Sequence, residues 1–274
     1  MTDPAAPHGE HLYEGGLYAP PPRSFDRAVE PLRRAALWTH VRTLGLAPGA
    51  RVLEIGAGDG RLLEALARRG HDVAGIEPSS AAGRARARGL DVGRTTLAAA
   101  ELEPRSVDAV VLWHVLEHIA EPREALTHAA VALRAGGSVV AVVPNLASLQ
   151  ARLGGDRWFH QDVPRHAVHY TPDGLERLFA RAGLAPVRRR AFVPDQDLLG
   201  MTQTLLNRAT RGRDVGFRLL KRAGGTTRRD AVVSALLVTP AAVAALAVEP
   251  VAAAVGRNGS IVVGGVRSAD RTPE

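Results

Sequence analysis

The chain has 274 residues, 46% of them hydrophobic, enough to bury one large core with an appendage. It contains no cysteine, which excludes a disulfide framework, thiolate chemistry and a cysteine-ligated zinc. The net charge of +7 comes with only 4% aromatic residues, too few stacking platforms to make basicity an argument for nucleic acid.

Residues 1–24 read as a flexible tail ending in Pro20-Pro21-Pro22. The first ten residues are polar and carry no apolar signal core, so the expectation is a cytoplasmic protein. Residues 25–45 place Val29, Leu32, Ala36, Leu37, Val41 and Leu44 at helical spacing, and Ala47-Pro48-Gly49 turns into a first strand. Val52 to Ile55 is a short apolar run that breaks into Gly56, Gly58 and Gly60 before Leu62 to Leu66 resumes helical spacing. Strand, glycine turn and helix together bring backbone amides and a helix N-terminus to a ligand. Glycine there leaves room for close approach. A second strand, His71 to Ile76, ends in Glu77, about 20 residues downstream, where an acid reaches ribose hydroxyls and rejects a 2′-phosphate. The spacing is G-x-G-x-G, without the third glycine of a dinucleotide fingerprint, so a nucleotide-binding oxidoreductase is the weaker alternative.

An arginine-rich helix follows Pro78-Ser79-Ser80, then a third strand around Leu90 to Thr96. Ser106 to Trp113 is the fourth strand and runs into His114-Val-Leu-Glu117-His118. A helix over 122–134 stops at Ala135-Gly136-Gly137, and Ser138 to Val143 is the fifth strand. After a loop-rich stretch, Thr171-Pro172 opens a capped helix, Val187 to Val193 is the sixth strand, and Ser260 to Val266 is the last. This alternation predicts an α/β fold: a Rossmann-like, doubly wound, mostly parallel seven-stranded sheet with a helical insert before the last strand. The expected domain limits are 25–194 with 259–267, and 195–258 for the insert.

With Glu54, the glycine bend, Glu77 and the later segments in this order, the sequence resembles class I S-adenosylmethionine-dependent methyltransferases. Leu116-Glu117-His118 resembles their ubiquinone-type, small-molecule O-methyltransferase branch. The resemblance implies S-adenosyl-L-methionine as cofactor, held by Glu54, Gly56, Ala57, Gly58, Gly60, Glu77 and Pro78. Trp113 and His114 would flank the reacting methyl at the exit of the fourth strand. It also implies a small-molecule or lipid-linked acceptor, methylated at oxygen. A hydroxyl acceptor needs one general base. His114, His160, His166 and His169 are the candidates, and His114 and His166 are preferred as catalytic residues. Trp158 to His169, with Asp162-x-Pro164-Arg165-His166, resembles an acceptor-pocket wall in this class.

His114-x-x-Glu117-His118 also matches a zinc-peptidase pattern, but it follows a buried strand and lacks a downstream acidic ligand. In the ubiquinone-type branch this helix can carry a divalent metal, with Glu usually standing where His114 stands here, so no metal is assigned. No Asn/Asp-Pro-Pro-aromatic element follows the fourth strand, which counts against nucleic acid as acceptor. In the insert, Arg208, Arg211, Arg213, Arg218, Lys221, Arg222, Arg228 and Arg229 face one acid, Asp214, and 231–248 is uncharged and apolar. Two readings stand. One is an apolar helix pair lying peripherally on the anionic inner face of a membrane. The other is a cap or a homodimer surface. A non-catalytic adenosylmethionine-binding or membrane-recruitment module remains the other functional class.

Overall fold

The computed structural model describes residues 35–189, 192–221 and 224–267. The tail reading for 1–24 therefore lies outside the described residues. The first helix is described from residue 35, and this helix, 35–44, is α1. In order there follow β1 (Arg51–Ile55), α2 (Arg61–Ala67), β2 (Asp72–Ile76), α3 (Ala81–Arg86), β3 (Val92–Gly93) and β4 (Val107–Trp113). Next come α4 (Pro122–Val131), β5 (Leu133–Pro144), α5 (Leu149–Gly154), α6 (Pro172–Arg181) and β6 (Leu184–Arg189). The insert forms α7 (Pro194–Ala209), α8 (Val215–Lys221) and α9 (Arg228–Ala254), and β7 (Ser260–Arg267) closes the sheet.

The seven strands run β3-β2-β1-β4-β5-β7-β6. β1 through β5 pair in parallel, and β7 enters antiparallel between β5 and β6. The strands are apolar on both faces because both are covered. Val110, Leu112, Val139, Ala141 and Val143 pack toward Leu126, Leu175 and Phe179 of α4 and α6. Their alternating neighbours Ala109, Val111, Val140 and Val142 pack toward Val41, Leu44, Leu62 and Leu66 of α1 and α2. Glu54 shares parity with Val52 and Trp113 with Val111, which carries both onto the α1 side at the carboxyl end of the sheet. Ligands of open α/β sheets gather at that end.

The local signals explain most boundaries. Thr171 Oγ1 accepts from the Gly174 amide at 3.2 Å and Pro172 occupies the first turn of α6. Four elements differ from the sequence expectation. β3 is two residues long, an edge strand paired only with β2. α4 stops at Val131, because Leu133 already pairs with Val107; Gly136, at φ 77°, belongs to the register shift in β5 rather than to a helix cap. β6 begins at Leu184, opposite Arg267, and Val193 lies at the start of α7, its amide donating to Asp197 Oδ2 at 3.0 Å. Finally, 231–248 is part of one 27-residue helix, not a helix pair. Pro240 and Pro250 both sit on its exposed side, where loss of an amide donor leaves the packed face intact.

Candidate active site

The glycine bend is stereochemically required. Gly56, Gly58 and Gly60 have φ of 71°, 56° and 79°, a region that L-residues seldom occupy. Their surroundings differ. A Cβ at Gly56 would lie 2.4 Å from Val115 Cγ2, and one at Gly60 would lie 2.4 Å from Leu90 Cδ1, whereas one at Gly58 meets nothing within 4 Å. Gly56 and Gly60 are therefore needed for the chain's own packing, and only Gly58 opens onto space a ligand can enter.

The bend's amides are largely satisfied internally, which corrects the expectation that they face the ligand. Gly56 and Ala57 both donate to Ile76 O, at 2.8 and 3.0 Å, and Gly60 donates to Ala57 O at 2.9 Å. The Gly58 amide donates to Glu77 Oε2 at 2.9 Å, and Ser79 donates to Glu77 Oε1 at 2.9 Å. Glu77, at the end of β2, thus touches the bend directly. A pyrophosphate would need open amides, whereas a cationic nucleoside with a ribose diol needs carboxylates, and two are present. Glu54 is buried and its Oε2 has no hydrogen-bond partner. Burial, then the neighbouring Glu77 carboxylate, holds the Glu54 carboxyl well above its ordinary range until a cation compensates. Pro78 is half-buried beside Glu77, and its carbonyl accepts from Arg94 Nε at 3.3 Å.

At the end of β4 the Trp113 ring is half-buried, with Nε1 unpartnered, and the His40 ring lies on it at 4.1 Å between centroids. His40 Nε2 meets Asp195 Oδ1 at 2.7 Å. Burial raises the Asp195 carboxyl, but the His40 hydrogen bond prevails and the net shift is downward. Neither residue carries a sequence signal, because α1 and α7 bring them together across 155 positions.

His114 has φ 53°, an uncommon conformation for a non-glycine residue, and its amide is held by Val142 O at 2.8 Å. Its Nδ1 lies 3.2 Å from Glu117 Oε1, while Nε2 has no partner. Burial pushes the Glu117 carboxyl up, yet the His114 hydrogen bond and the positive potential of His114, His118 and His166 bring it below its ordinary range. An ionised carboxylate only accepts, so the neutral imidazole carries its proton on Nδ1 and its lone pair on Nε2.

The wall segment meets this dyad. His160 stacks on His114 at 6.3 Å, and Trp158 is fully buried with Nε1 donating to Gln150 Oε1 at 3.3 Å. Burial, then the charges of His114, His166 and His169, lowers the His160 pKa well below its ordinary value, keeping that ring neutral. His166 Nδ1 donates to His160 O at 2.7 Å, which turns the ring toward Glu117 and His118 rather than toward Trp113. His169 Nε2 is engaged with His160 O and Gln161 O.

Ligating atoms of Glu117, His118 and His166 lie within 4.8 Å of one another. His118 Nδ1 donates to Arg165 O at 2.9 Å, so both imidazoles are aligned by backbone carbonyls, and Glu117 Oε2 is buried without a partner. Two ligands on one ion at ~2.1 Å are at most ~4.2 Å apart, so closure needs only small side-chain rotations. This two-histidine, one-carboxylate set fits a divalent ion. It uses His166 from the wall where the sequence pattern offers His114.

A sheet in this order, with two carboxylates bracketing an open glycine bend, defines a methyltransferase of the adenosylmethionine-dependent type. The chain belongs to the methyltransferase-domain family, whose profile matches residues 26–188. Its cofactor is accordingly S-adenosyl-L-methionine. It is 33% identical over 158 residues to the ubiquinone biosynthesis O-methyltransferase of Roseobacter denitrificans, covering 53% of this chain and 64% of that one. The enzyme of the same name from Cupriavidus pinatubonensis is 34% identical over 162 residues, covering 54% and 65%. The chain thus spans less than two thirds of either relative. Among solved structures it is similar to an S-adenosylmethionine-dependent methyltransferase of Thermotoga maritima, with TM-score 0.54, 18% identity and coverage of 89% and 95%. It is also similar to a phosphoethanolamine N-methyltransferase of Haemonchus contortus in complex with S-adenosylhomocysteine, with TM-score 0.54, 16% identity and coverage of 85% and 52%. These two likenesses concern the fold.

Proposed function

We propose that the chain transfers a methyl group to a hydroxyl oxygen of a small or lipid-linked acceptor, with His114 as the general base. The observation that carries this reading is the Glu117–His114 dyad. A buried, ionised carboxylate fixes the imidazole by Nδ1 and leaves the Nε2 lone pair without a partner at the exit of β4. The cofactor, when bound, supplies a methyl on an already activated sulfonium. The protein's remaining work is alignment and removal of one proton. Glu77 takes the ribose hydroxyls, Glu54 compensates positive charge near the bend, and Gly58 leaves the space open. His114 takes the acceptor's hydroxyl proton on Nε2 while Glu117 stabilises the imidazolium that results. His166 serves Glu117 rather than the acceptor, and the His40–Asp195 pair supports the Trp113 face of the pocket. A divalent ion on Glu117, His118 and His166 would add a Lewis acid beside the dyad.

The relatives' ubiquinone precursors supply the probe class. Wild type and His114→Gln are assayed with tritiated S-adenosylmethionine and a phenolic quinone precursor, and the methylated atom is located by mass spectrometry. The expectation is an O-methyl product. The variant should lose about 10²–10⁴-fold in kcat with unchanged S-adenosylhomocysteine affinity. Methyl on nitrogen, or undiminished kcat in the variant, removes this reading. Tight S-adenosylhomocysteine binding with no transfer to any acceptor would favour the non-catalytic module. Binding of NADH alone would favour an oxidoreductase.

A further inference from the structure

α9 presents a surface that a water-soluble domain does not normally leave uncovered. Its inward stripe, Asp230, Ser234, Ala241, Ala245, Glu249 and Ala252, is buried. Beyond Arg228 and Arg229 at its start, its outward side is largely apolar: Leu236 is 72% exposed, Val243 60%, Leu246 59% and Val251 67%. Not one charged side chain interrupts 231–248. Among the described residues this is the one helix long and apolar enough to cross a membrane. Crossing would tear out the inward stripe. Asp230 accepts from the Arg211 and Gly212 amides at 3.1 and 3.0 Å, and Glu249 accepts from Gln150 Nε2 and the Gly259 amide at 3.1 and 3.2 Å. The helix is therefore fastened to the domain along one side and bare along the other.

We propose that this bare side seats the protein on an anionic lipid surface, with α9 lying in the plane of the interface. Charge selects the occupant. The N-terminal end of α9 and the segment before it carry exposed Arg208, Arg211, Arg213, Arg228 and Arg229. The acids beside them are engaged within the fold, Asp214 by Asn207 Nδ2 at 3.0 Å and Asp230 by the two amides. Arg229 Nη1 also lies 3.4 Å from Asp230 Oδ1, which leaves Arg208, Arg211, Arg213 and Arg228 in excess. The adjoining α8 adds exposed Leu219 and Leu220. An apolar strip with a cationic end matches acyl chains under acidic headgroups. A second copy of this chain would want a polar rim around its core contact, and the strip has none.

The seating also reaches the acceptor site. Glu249 holds Gln150, Gln150 Oε1 receives Trp158 Nε1, Trp158 packs on His160 at 5.6 Å, and His160 stacks on His114. α9 is thus joined to the wall of the pocket through a chain of side-chain contacts, which suits an acceptor delivered from the bilayer. In that last respect the inference rests on the lipid-linked reading; the seating itself does not.

The test is co-sedimentation of the full chain with phosphatidylcholine vesicles, with and without 30% phosphatidylglycerol, at 0.1 and 0.5 M NaCl. Light scattering gives the oligomeric state, and S-adenosylhomocysteine binding reports on the fold and the cofactor site separately. Wild type should bind anionic vesicles at least tenfold more than neutral ones, and less at high salt. Leu236→Glu with Leu246→Glu should abolish binding with nucleoside affinity unchanged. Arg228→Gln with Arg229→Gln should lower binding by about 10–30-fold, since each cation near the surface contributes ~1 kcal/mol. Equal, salt-independent partitioning into both vesicles, or no partitioning, overturns the proposal. So does a dimer that Leu236→Glu dissociates without any change in vesicle binding.

Discussion

Glu249 offers a quantitative test of how the insert is held. It is fully buried, with Oε1 and Oε2 receiving one donor each, and Asp197 lies close enough to oppose its ionisation. Burial, then the Asp197 carboxylate, pushes the Glu249 carboxyl from its ordinary 4.5 up to about 7. The sign follows from proton counting. Between those values the folded chain keeps a proton that the unfolded chain has released. This contribution to stability is therefore complete below about 4.5 and is lost as pH rises through about 7. At ~1.4 kcal/mol per pH unit the swing is about 3 kcal/mol, as a ceiling. Asp197 is shifted upward too, chiefly by burial, and acts in the same direction.

The raw pH profile will not show this alone. His160 and His166 are lowered by burial and contribute stability that grows as pH rises toward their ordinary 6.5, opposing Glu249. The difference between wild type and Glu249→Gln isolates the effect. Glutamine keeps an acceptor for Gly259 and sets an amide against Gln150 Nε2, an offset of about 1–2 kcal/mol that does not vary with pH. Urea unfolding of both proteins from pH 5 to 8 should show the difference moving toward glutamine by about 2.5 kcal/mol, since the unfolded acid is already mostly ionised at pH 5, equivalent to ~5–10 °C in Tm. A difference constant to within about 0.5 kcal/mol across that range refutes the assignment of Glu249 as a protonated buried acid.

Three further outcomes are expected. Glu77→Ala removes a charge-assisted acceptor worth ~1.5–3 kcal/mol, so S-adenosylhomocysteine affinity should fall about 10–100-fold by calorimetry, and an unchanged Kd would place the nucleoside elsewhere. Gly60→Ala and Gly58→Ala should separate stability from binding. The first drives a methyl group against Leu90 and Ala85 and should cost about 2–4 kcal/mol of stability. The second has room and should cost ~1 kcal/mol of stability while weakening nucleoside binding. Cobalt(II) added to chelator-treated protein should bind at one equivalent with a visible absorption band and raise Tm. His166→Ala and Glu117→Gln should each lose the band. A band that survives both variants would move the ion off these three residues.

What was legible in the sequence was what short segments enforce. The bend after β1 and the acid closing β2 are readable because a strand, a run of positive-φ glycines and a helix are local, and because parallel pairing sets β2 beside β1 in register. The Thr171 cap and the alternation of strands with helices follow from similar short-range signals. Contacts made by distant segments were not legible. His40 and Asp195 meet only because α1 and the insert converge on Trp113. Glu117 matched a metal-ligand spacing to which no metal was assigned, and nothing local showed that its 3₁₀ turn hands one oxygen to His114 and leaves the other without a partner. The single helix α9 was hidden by Pro240, whose missing donor costs little on a face that packs against no protein.

The bend itself shows why spacing discriminates where glycine content does not. In a pyrophosphate site the loop amides are the binding groups, so the fold must leave them unpaired. Here Ile76 O takes two of them, Ala57 O a third and Glu77 a fourth, which leaves carboxylates rather than N–H dipoles as the dominant local charge. A negative cradle repels phosphate and favours a positively charged sulfur or amine. The unpaired Glu54 oxygen, beside Glu77 in a buried setting, favours a protonated carboxyl in the free protein, and a bound cation would take that proton's place. On the proposed reading, a preference for a sulfonium nucleoside over a dinucleotide would follow from which groups the bend satisfies before any ligand arrives. Glu54→Gln should remove that titration, stabilising the free protein while weakening its hold on the cationic cofactor more than on neutral S-adenosylhomocysteine.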